Sequence, residues 1–358
     1  MRNIGGIRLK IDDIARLAGV SKTAVSLAFN NKPGISQQTK DHILKTASQY
    51  GYKPRSVKKR NDTPLKKNHI IRFVACKNTE VITEQYDSQP FFSELLNYLT
   101  DIVRENGFTL AISSIDIHQL ADDLSQLETE QESAGILLLG TDLTLEKIEE
   151  ARSVHPNIVV LDTLFEASNT SFVSINNFLG GYQAGEFLYN LGHREIGFIK
   201  SNMRIYNFSR REAGFLQALD KHGLSLREAN VFEVPPMQVL AQESLKKAIS
   251  NLKSLPSAFF CENDYMAIST IKTLHELGIK VPEQVSIMGF DNIYEANIIS
   301  PELTTIQVRK DILAKSAVEK IVTYLANANI GATQSLVNTE IIQRNSCIPY
   351  KLQQESSL

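Results

Sequence analysis

Residues 11–35 read IDDIARLAGVSKTAVSLAFNNKPGI, and this stretch decides the architecture of the N-terminal part of the chain. Apolar residues at helical spacing run up to Ala18, and a second short helical pattern begins after Ser21. Gly19 supplies the backbone freedom of a tight turn, and Ser21 is a good N-cap for the second helix. The pattern therefore predicts a helix-turn-helix, whose second helix lies in a DNA major groove. Any small helical hairpin would show similar spacing, so the flanking charges must distinguish a DNA-binding helix-turn-helix from an ordinary helical hairpin.

Those charges are divided unevenly along the chain. The first 67 residues contain fifteen Lys and Arg and four acidic residues, a formal charge of +11, whereas the remaining 291 residues carry −13. A basic N-terminal segment on an acidic body is typical of nucleic-acid contact at one end. Lys and Arg neutralise phosphates and supply much of the affinity, and an acidic body is repelled from the duplex.

Length and composition exclude several classes of protein. At 358 residues, two or three domains are expected. No segment approaches the ~18–20 apolar residues that cross a bilayer, and the N-terminus lacks an apolar signal core, so a cytoplasmic protein with no membrane partner is expected. Cys76, Cys261 and Cys347 lie far apart, the seven His show no ligand spacing, and GxSxG and HExxH do not occur. We therefore expect no catalytic site, no metal and no cofactor.

From about residue 68, buried-strand patterns alternate with helical ones. Strands are predicted at 70–76, 109–114, 135–140 and 157–162, and a second set is predicted to open with 172–176. Repeated alternation of this kind predicts two parallel sheets covered by helices, and hence two lobes. Ligands in such sheets bind beyond the carboxyl ends of the strands, so the cleft between the lobes is the expected site.

The chain resembles a known family along nearly its whole length, from about residue 9 to 348. The segment LKIDDIARLAGVSKTAVSLAFNNKPGISQQTKDHILKTASQYGYKP resembles the N-terminal domain of the lactose-repressor (LacI/GalR) family. The body resembles the effector-binding core of that family and, more distantly, periplasmic sugar-binding proteins. Among the segments that carry this resemblance are LGHR at 191–194, GFDN at 289–292 and PELTTI at 301–306.

The resemblance implies an α/β fold class. A three-helix helix-turn-helix DNA-binding domain precedes a two-lobed, periplasmic-binding-protein-like core of doubly wound parallel sheets. The predicted domains are a DNA-binding domain at 1–53, a hinge or linker at 54–67, the effector-binding and dimerisation core at 68–350, and a tail at 351–358. Within the core, the N-lobe is expected at about 68–163 plus 309–334, and the C-lobe at about 172–306 plus 335–350.

The recognition helix carries the residues expected to read DNA. Lys22 and Thr23 open this helix and are predicted to face base edges. Leu27 stands where relatives often place Arg or His, and it can make only apolar contact, for instance with a thymine methyl. Phosphate contacts position a protein without specifying sequence, and Arg16 and Lys32 are interpreted in this way. The predicted contacts in this domain are Arg16, Ser21, Lys22, Thr23, Ser26, Leu27, Asn30 and Lys32.

The basic linker resembles the hinge helix of the family, which packs in the minor groove and wedges a Leu between base pairs. Composition alone favours a flexible tether. The predicted hinge contacts are Arg55, Val57, Lys58, Lys59 and Asn61, where Asn61 occupies the place of the wedge Leu. Our hypothesis is that this hinge grips the minor groove electrostatically and bends DNA less than its relatives do. An operator kink of ~40° or more would contradict it.

Several polar residues of the body fall at predicted strand-to-helix junctions. A guanidinium facing carboxylates and an amide suits sugar hydroxyls, which both donate and accept hydrogen bonds. Aromatic rings can stack on a pyranose face. The predicted effector-binding residues are Phe91, Phe92, Asp162, Arg211, Asn263 and Asp291, and the family carries effector contacts at all of these positions except Phe91. Two simpler interpretations stay open: Asp264 caps the helix at 264–278, and one Phe of the pair belongs to the core.

The resemblance implies a function. The expected protein is a transcription regulator, most simply a repressor of carbohydrate-utilisation genes. As a homodimer it would bind a palindromic double-stranded DNA operator, with an affinity altered by a sugar or sugar-phosphate effector in the cleft. The aromatic pair and the polar set favour a sugar over a purine. The alternative is a sugar-binding protein without regulatory DNA binding, and the basic N-terminal segment argues against it.

Overall fold

The computed structural model describes residues 11–29, 34–50, 52, 69–79, 81–82, 85–327, 330–351 and 353. The chain divides into two compact units, Met1–Lys66 and Lys67–Leu358, called here the head and the core. The predicted hinge at 54–67 lies outside the described residues.

The head contains three helices, α1 (Ile11–Leu17), α2 (Lys22–Phe29) and α3 (Gln37–Gln49). One apolar side of each helix faces a small shared core, whose buried members include Ile14, Val25, Ala28, Ile43 and Ala47. The remaining surface of α1 and α2 is mostly polar and faces solvent, with Leu17 as an exposed apolar exception.

Local sequence sets the ends of these helices. Gly19 has φ +65°, a left-handed conformation that suits glycine, and it turns the chain between α1 and α2. The Ser21 hydroxyl accepts a hydrogen bond from the Ala24 amide at 3.1 Å, which is the geometry of an N-cap. Ser36 caps α3 in the same way through the Thr39 amide at 3.2 Å. The helix-turn-helix prediction is confirmed.

The first sheet of the core has six parallel strands in the order β11-β5-β4-β3-β1-β2. Its strands are β1 (Ile70–Lys77), β2 (Thr109–Asp116), β3 (Gly135–Leu139), β4 (Ile158–Leu161), β5 (Ser171–Ile175) and β11 (Gln334–Val337). Its helices are α4 (Pro90–Glu105), α5 (Leu120–Glu130), α6 (Leu145–Val154) and α11 (Lys310–Ala326).

Helices cover both faces of this sheet, so its inner strands are apolar on both sides. In β1, Phe73 and Ala75 join the apolar cluster that contains residues of α4 and α11, while Val74 and Cys76 join the cluster that contains residues of α5 and α6. Successive side chains of a strand point to opposite faces, which explains this alternation. The continuous apolar pattern of the sequence is the one expected for a doubly covered parallel strand.

The second sheet has the order β12-β10-β9-β8-β6-β7 and is parallel except for the antiparallel edge strand β12. Its strands are β6 (Ile196–Ser201), β7 (Val231–Val234), β8 (Ala258–Cys261), β9 (Ser286–Asp291), β10 (Thr304–Gln307) and β12 (Glu340–Ile342). Its helices are α7 (Asn177–Asn190), α8 (Tyr206–Lys221), α9 (Glu243–Ser250) and α10 (Asp264–Glu276).

The structure corrects the predicted lobe boundaries. The strand at 172–176 was expected to open the second lobe, but β5 pairs with β4 and β11 in the first sheet. Residues 335–337, also assigned to the C-lobe, lie in β11 of the same sheet. A strand that is apolar on both faces has the same sequence pattern in either sheet, so the pattern could not show to which sheet this strand belongs. The chain therefore crosses between the sheets after β5, after β10 and after β11.

Candidate functional site

All six residues predicted to bind an effector line one cavity of the core. The space free of atoms between its lining residues is about 400 Å³, which includes solvent at its open mouth. Its lining consists of Val81, Phe91, Phe92, Thr141, Asp162, Ile205, Asn207, Phe208, Arg211, Met237, Asn263, Tyr265 and Asp291. Both sheets contribute at the carboxyl ends of their strands, where the topology places a binding site.

Asp162 follows β4 directly and joins groups from both lobes. It has φ +63°, a left-handed conformation that is uncommon outside glycine. Its carboxylate accepts hydrogen bonds from the Thr141 hydroxyl at 2.7 Å and from the Asn207 amide at 3.0 Å. Burial raises the pKa of Asp162 to about 6, an effect that the Thr141 hydrogen bond and the charge of Arg211 partly offset.

Arg211 is buried at the centre of the polar cluster. Its Nε donates to Asn177 Oδ1 at 2.8 Å, and its two terminal nitrogens donate to the Glu262 carbonyl oxygen at 2.5 Å and to Asp291 Oδ1 at 3.1 Å. The guanidinium carbon also lies 3.7 Å from the centre of the Phe290 ring, a cation–π distance.

A glycine in α7 makes room for the backbone of Arg211. A Cβ at Gly181 would lie 2.0 Å from the Arg211 carbonyl oxygen, so no other residue fits there without moving a helix. The close approach of α7 and α8 thus holds Arg211 within reach of Asn177 on the neighbouring helix.

Asp291 ends β9 in a strained turn. It has φ +109°, and the next residue, Asn292, has φ +50°. The buried Nζ of Lys310, at the start of α11, donates to the Asp291 carbonyl oxygen at 3.1 Å and forms an ion pair with Glu94 of α4 at 3.0 Å. Burial raises the pKa of the Asp291 carboxyl, and the charges of Arg211 and Lys310 oppose this rise.

The aromatic pair opens α4, behind Pro90 at the start of that helix. The Phe91 and Phe92 rings meet edge to face with centroids 5.2 Å apart, and both line the cavity. The Phe91 amide lies 3.4 Å from the Tyr265 hydroxyl oxygen of the second lobe. Both rings are buried in the core as well, so each Phe belongs to the core and to the cavity lining.

Asn263 has a structural role besides its place in the lining. Its Oδ1 accepts from the Met266 amide at 2.8 Å and caps α10, and its Nδ2 donates to the Pro236 carbonyl at 2.8 Å. The simpler interpretation, in which Asp264 is the cap, is wrong. The Asp264 carboxyl is buried and accepts from Thr305 and from the Ile293 amide. Burial, together with the nearby Asp291 charge, raises its pKa to about 7.

The sequence analysis missed five residues that build this cluster, namely Thr141, Asn177, Asn207, Tyr265 and Lys310. Tyr265 lies two positions after the predicted site residue Asn263, and this position near the end of a strand indicated that it could line the cleft. The others lie in or beside apolar patterns, and only the folded chain brings them together.

In the head, the predicted DNA contacts described by the structure cluster on α1, α2 and the turn between them. Arg16, Ser21, Lys22 and Thr23 are exposed, and Ser26 and Leu27 are half-buried. Lys22 lies 2.9 Å from an Asp12 carboxylate oxygen, and Arg16 lies 2.5 Å from one of Asp13. Exposed pairs of this kind are weak, so both cations remain able to exchange partners for phosphates. Asn30, Lys32, Arg55, Val57, Lys58, Lys59 and Asn61 lie outside the described residues.

Residues 10–55 match the family described as "Bacterial regulatory proteins, lacI family", and residues 186–347 match the periplasmic binding protein-like domain. The HTH-type transcriptional repressor PurR of Vibrio parahaemolyticus is 30% identical over 345 residues, covering 94% of this chain and 98% of the relative. This chain belongs to the LacI family of bacterial regulatory proteins.

A second relative agrees with the LacI-family assignment, and solved structures share the fold. PurR of Vibrio campbellii is 29% identical over 344 residues, covering 94% of this chain and 98% of the relative. The Lac repressor dimer bound to operator and the anti-inducer ONPF has a TM-score of 0.68 at 18% identity, with 96% of this chain and all of that chain covered. A CelR–cellobiose complex has a TM-score of 0.67 at 21% identity, with coverages of 95% and 100%. At such identities the structures establish the fold.

As a LacI-family member, the chain is a DNA-binding transcriptional repressor and not an enzyme, and its fold class is confirmed. Across the part of the chain that the structure describes, every helix is too short or too polar to span a bilayer.

Proposed function

We propose that this repressor binds a palindromic operator as a homodimer, controls carbohydrate-utilisation genes, and changes its operator affinity when a sugar-type effector occupies the cavity. The observation that carries this proposal is the cluster of Asp162, Arg211 and Asp291 beside Phe91 and Phe92, within a cavity shared by both lobes. Carboxylates and a guanidinium suit hydroxyls, and the aromatic rings suit the apolar face of a sugar ring.

The cavity is well placed to alter the angle between the lobes. Asn207 of α8 bonds to Asp162, and Tyr265 of α10 meets the Phe91 amide, so these cavity residues themselves join the lobes. A ligand that favours one arrangement of these contacts shifts the population of lobe angles. In a dimer, such a shift changes the spacing of the two heads and therefore the operator affinity.

Exposed apolar residues of the second lobe support the homodimer. Leu240, Tyr294 and Ile298 are 70%, 72% and 64% exposed. Leu240 also lines a surface groove with Ile271, Ile279, Ile299 and Pro301. Neighbouring exposed apolar residues of this kind are typical of a protein interface, and a second copy of the chain would bury them in a two-fold assembly.

The solved relatives bear on the effector class. The CelR structure contains cellobiose, and a LacI-family regulator of Enterococcus faecium, at 24% identity and a TM-score of 0.65, contains ribose. A purine base is the competing effector class, because its flat ring would also stack against Phe91 or Phe92.

The test is selection of genomic DNA fragments by the full-length protein, followed by sequencing of the retained fragments. We expect the retained fragments to share a palindrome that lies beside carbohydrate-utilisation genes. The Lys22→Ala variant should no longer enrich this palindrome, whereas Lys253→Ala, which changes an exposed lysine of the core, should still enrich it. Enrichment without a palindrome would contradict dimeric operator binding, and a palindrome beside unrelated genes would contradict the carbohydrate assignment.

The dimer has its own test in sedimentation velocity. We expect Ile298→Glu to give a monomer with reduced operator affinity. Leu216→Glu, at an exposed leucine of α8 outside this apolar surface, should stay dimeric. A dimer in both variants would rule out this surface as the interface.

A further inference from the structure

The cations around the cavity are already paired with carboxylates of the protein. Arg211 pairs with Asp291 at 3.1 Å, and Lys310 pairs with Glu94 at 3.0 Å. Arg204, at the edge of the same cluster, donates to both carboxylate oxygens of Glu262 at 2.8 Å and to Glu212 at 2.8 Å. These pairs limit what the cations can offer to an occupant.

The carboxylates are in excess. The charged residues of the lining are Asp162, Asp291 and Arg211, so its formal charge is −1. Asp264 lies buried just behind, where burial and the Asp291 charge raise its pKa and the charge of Lys310 opposes this rise. Within the described residues, neither Asp162 nor Asp264 has a Lys or Arg nitrogen at ion-pairing distance. An anionic occupant would therefore lie beside a lining whose formal charge is negative.

Free hydrogen-bonding capacity in the cavity suits hydroxyl groups. Three of the five N–H donors of Arg211 bond to the protein, which leaves two. The Tyr265 hydroxyl accepts from the Phe91 amide and retains its own proton as a donor. Among the described residues, Asp291 Oδ2 has no hydrogen-bond donor. Donors and acceptors thus stand side by side.

Resting on the proposed effector function of this cavity, we propose that its occupant is a neutral, polyhydroxylated sugar ring and that Asp162 and Asp291 exclude phosphate esters and other anions. A phosphate group would lie against two carboxylates without a spare cation, and like charges in contact repel one another strongly where water is excluded. A sugar hydroxyl instead donates to a carboxylate and accepts from Arg211. Of the two expected effectors, a sugar and a sugar phosphate, the charge balance selects the sugar.

Apolar side chains define the rest of the space. Phe91 and Phe92 lie on the side of the first lobe, and Ile205, Phe208 and Met237 lie on the side of the second. Such walls match the two C–H faces of a sugar ring, while the polar cluster meets the hydroxyls at its rim.

The experiment compares matched pairs by calorimetry on the full-length dimer. The pairs are D-ribose and D-ribose 5-phosphate, D-glucose and D-glucose 6-phosphate, cellobiose and its 6-phosphate, and hypoxanthine and inosine monophosphate. We expect one neutral sugar to bind and its ester to bind at least about 100-fold more weakly, the scale of like-charge contact. Asp162→Asn should weaken binding of the neutral sugar by about 10-fold, the scale of a charged hydrogen bond. The variant should also show a smaller difference in affinity between the sugar and its phosphate ester.

Asp101→Asn, on the exposed surface of α4, is the matched control and should change neither affinity. Asp291→Asn is the second cavity variant, because Asn retains an acceptor for Arg211. A phosphate ester that binds more tightly than its sugar, and that Phe92→Ala weakens, would overturn the charge inference but leave an effector cavity. Binding that no cavity variant alters, or no binding by any compound, would overturn both proposals.

Discussion

The head and the core place their functional side chains in opposite environments. In the head, Arg16, Lys22 and Thr23 face solvent above a small apolar core. In the core, Asp162, Arg211 and Asp291 are at most 5% exposed. Arg211 bonds to Asp291, and Asn207 and Asn177 link Asp162 to Arg211. The proposed DNA-binding side chains are open to solvent, and the proposed effector-binding side chains are buried.

In the head, the proposed contact residues and the residues that stabilise the fold are different residues. In the core, the same buried residues have both roles. An exposed contact residue can change with little effect on folding, because water replaces its partners. A buried polar residue cannot, because its partners lose their hydrogen bonds in a medium of low dielectric. Mutations can test this contrast directly.

The largest expected effect is that of Arg211→Ala. The change leaves the Asp291 carboxylate and the Asn177 amide oxygen without their donor. Breaking a buried ion pair by removing one partner destabilises a protein by about 3–5 kcal/mol. Urea unfolding followed by circular dichroism should show this loss in the core. Arg210→Ala, the adjacent and partly exposed arginine, is the control and should lose less than about 1 kcal/mol. Equal losses in both variants would mean that the polar cluster does not stabilise the core.

A smaller effect is expected from pH, through Asp162. Below about pH 4 its carboxyl is protonated in the folded and unfolded chain alike. Between about pH 4 and 6 the unfolded chain releases this proton while the folded chain keeps it, because burial raises the folded pKa to about 6. Stability is therefore lost as the pH rises through this window, by roughly 2–3 kcal/mol for a shift of this size.

Asp162→Asn isolates this contribution from the other carboxyls. Relative to the parent protein, the variant should gain stability between pH 4.5 and 7.5, as measured by thermal unfolding at each pH. A stability difference that stays constant across this range would show that Asp162 titrates as it does in water.

The smallest expected effect belongs to the head. Ser21→Ala removes the hydroxyl that accepts from the Ala24 amide, and loss of an N-cap costs about 1 kcal/mol. Hydrogen exchange should become faster in α2 and stay unchanged in the core. Ser21→Asn retains a capping oxygen and should exchange like the parent protein. Faster exchange in the asparagine variant as well would assign the effect to something other than the cap.

The same contrast explains what the sequence could predict. The helix-turn-helix follows from residues close together in the chain, including Gly19, Ser21 and Val25, so its local pattern predicts it fully. The alternating strands and helices of the core follow in the same way from buried apolar runs. Pairing between distant strands does not, which is why β5 was placed in the wrong sheet.

Site prediction was limited by the same distance effect. Asp162 and Asp291 stand at strand ends, and that position indicated a cleft. Asn207 and Lys310 became visible only in the folded chain, since their partners lie 45 and 19 residues away along the sequence. Their role depends on packing geometry, which carries no periodic signal.

The late return of the chain to the first sheet matters during synthesis on the ribosome. Leu313, Val318 and Ile321 of α11 belong to the apolar cluster on one face of that sheet, although β1 to β5 are complete by residue 175. At a synthesis rate of roughly 5–20 residues per second, α11 is completed about 7–30 s after β5. A nascent or prematurely terminated chain that lacks α11 therefore leaves the part of this face that α11 covers exposed to solvent.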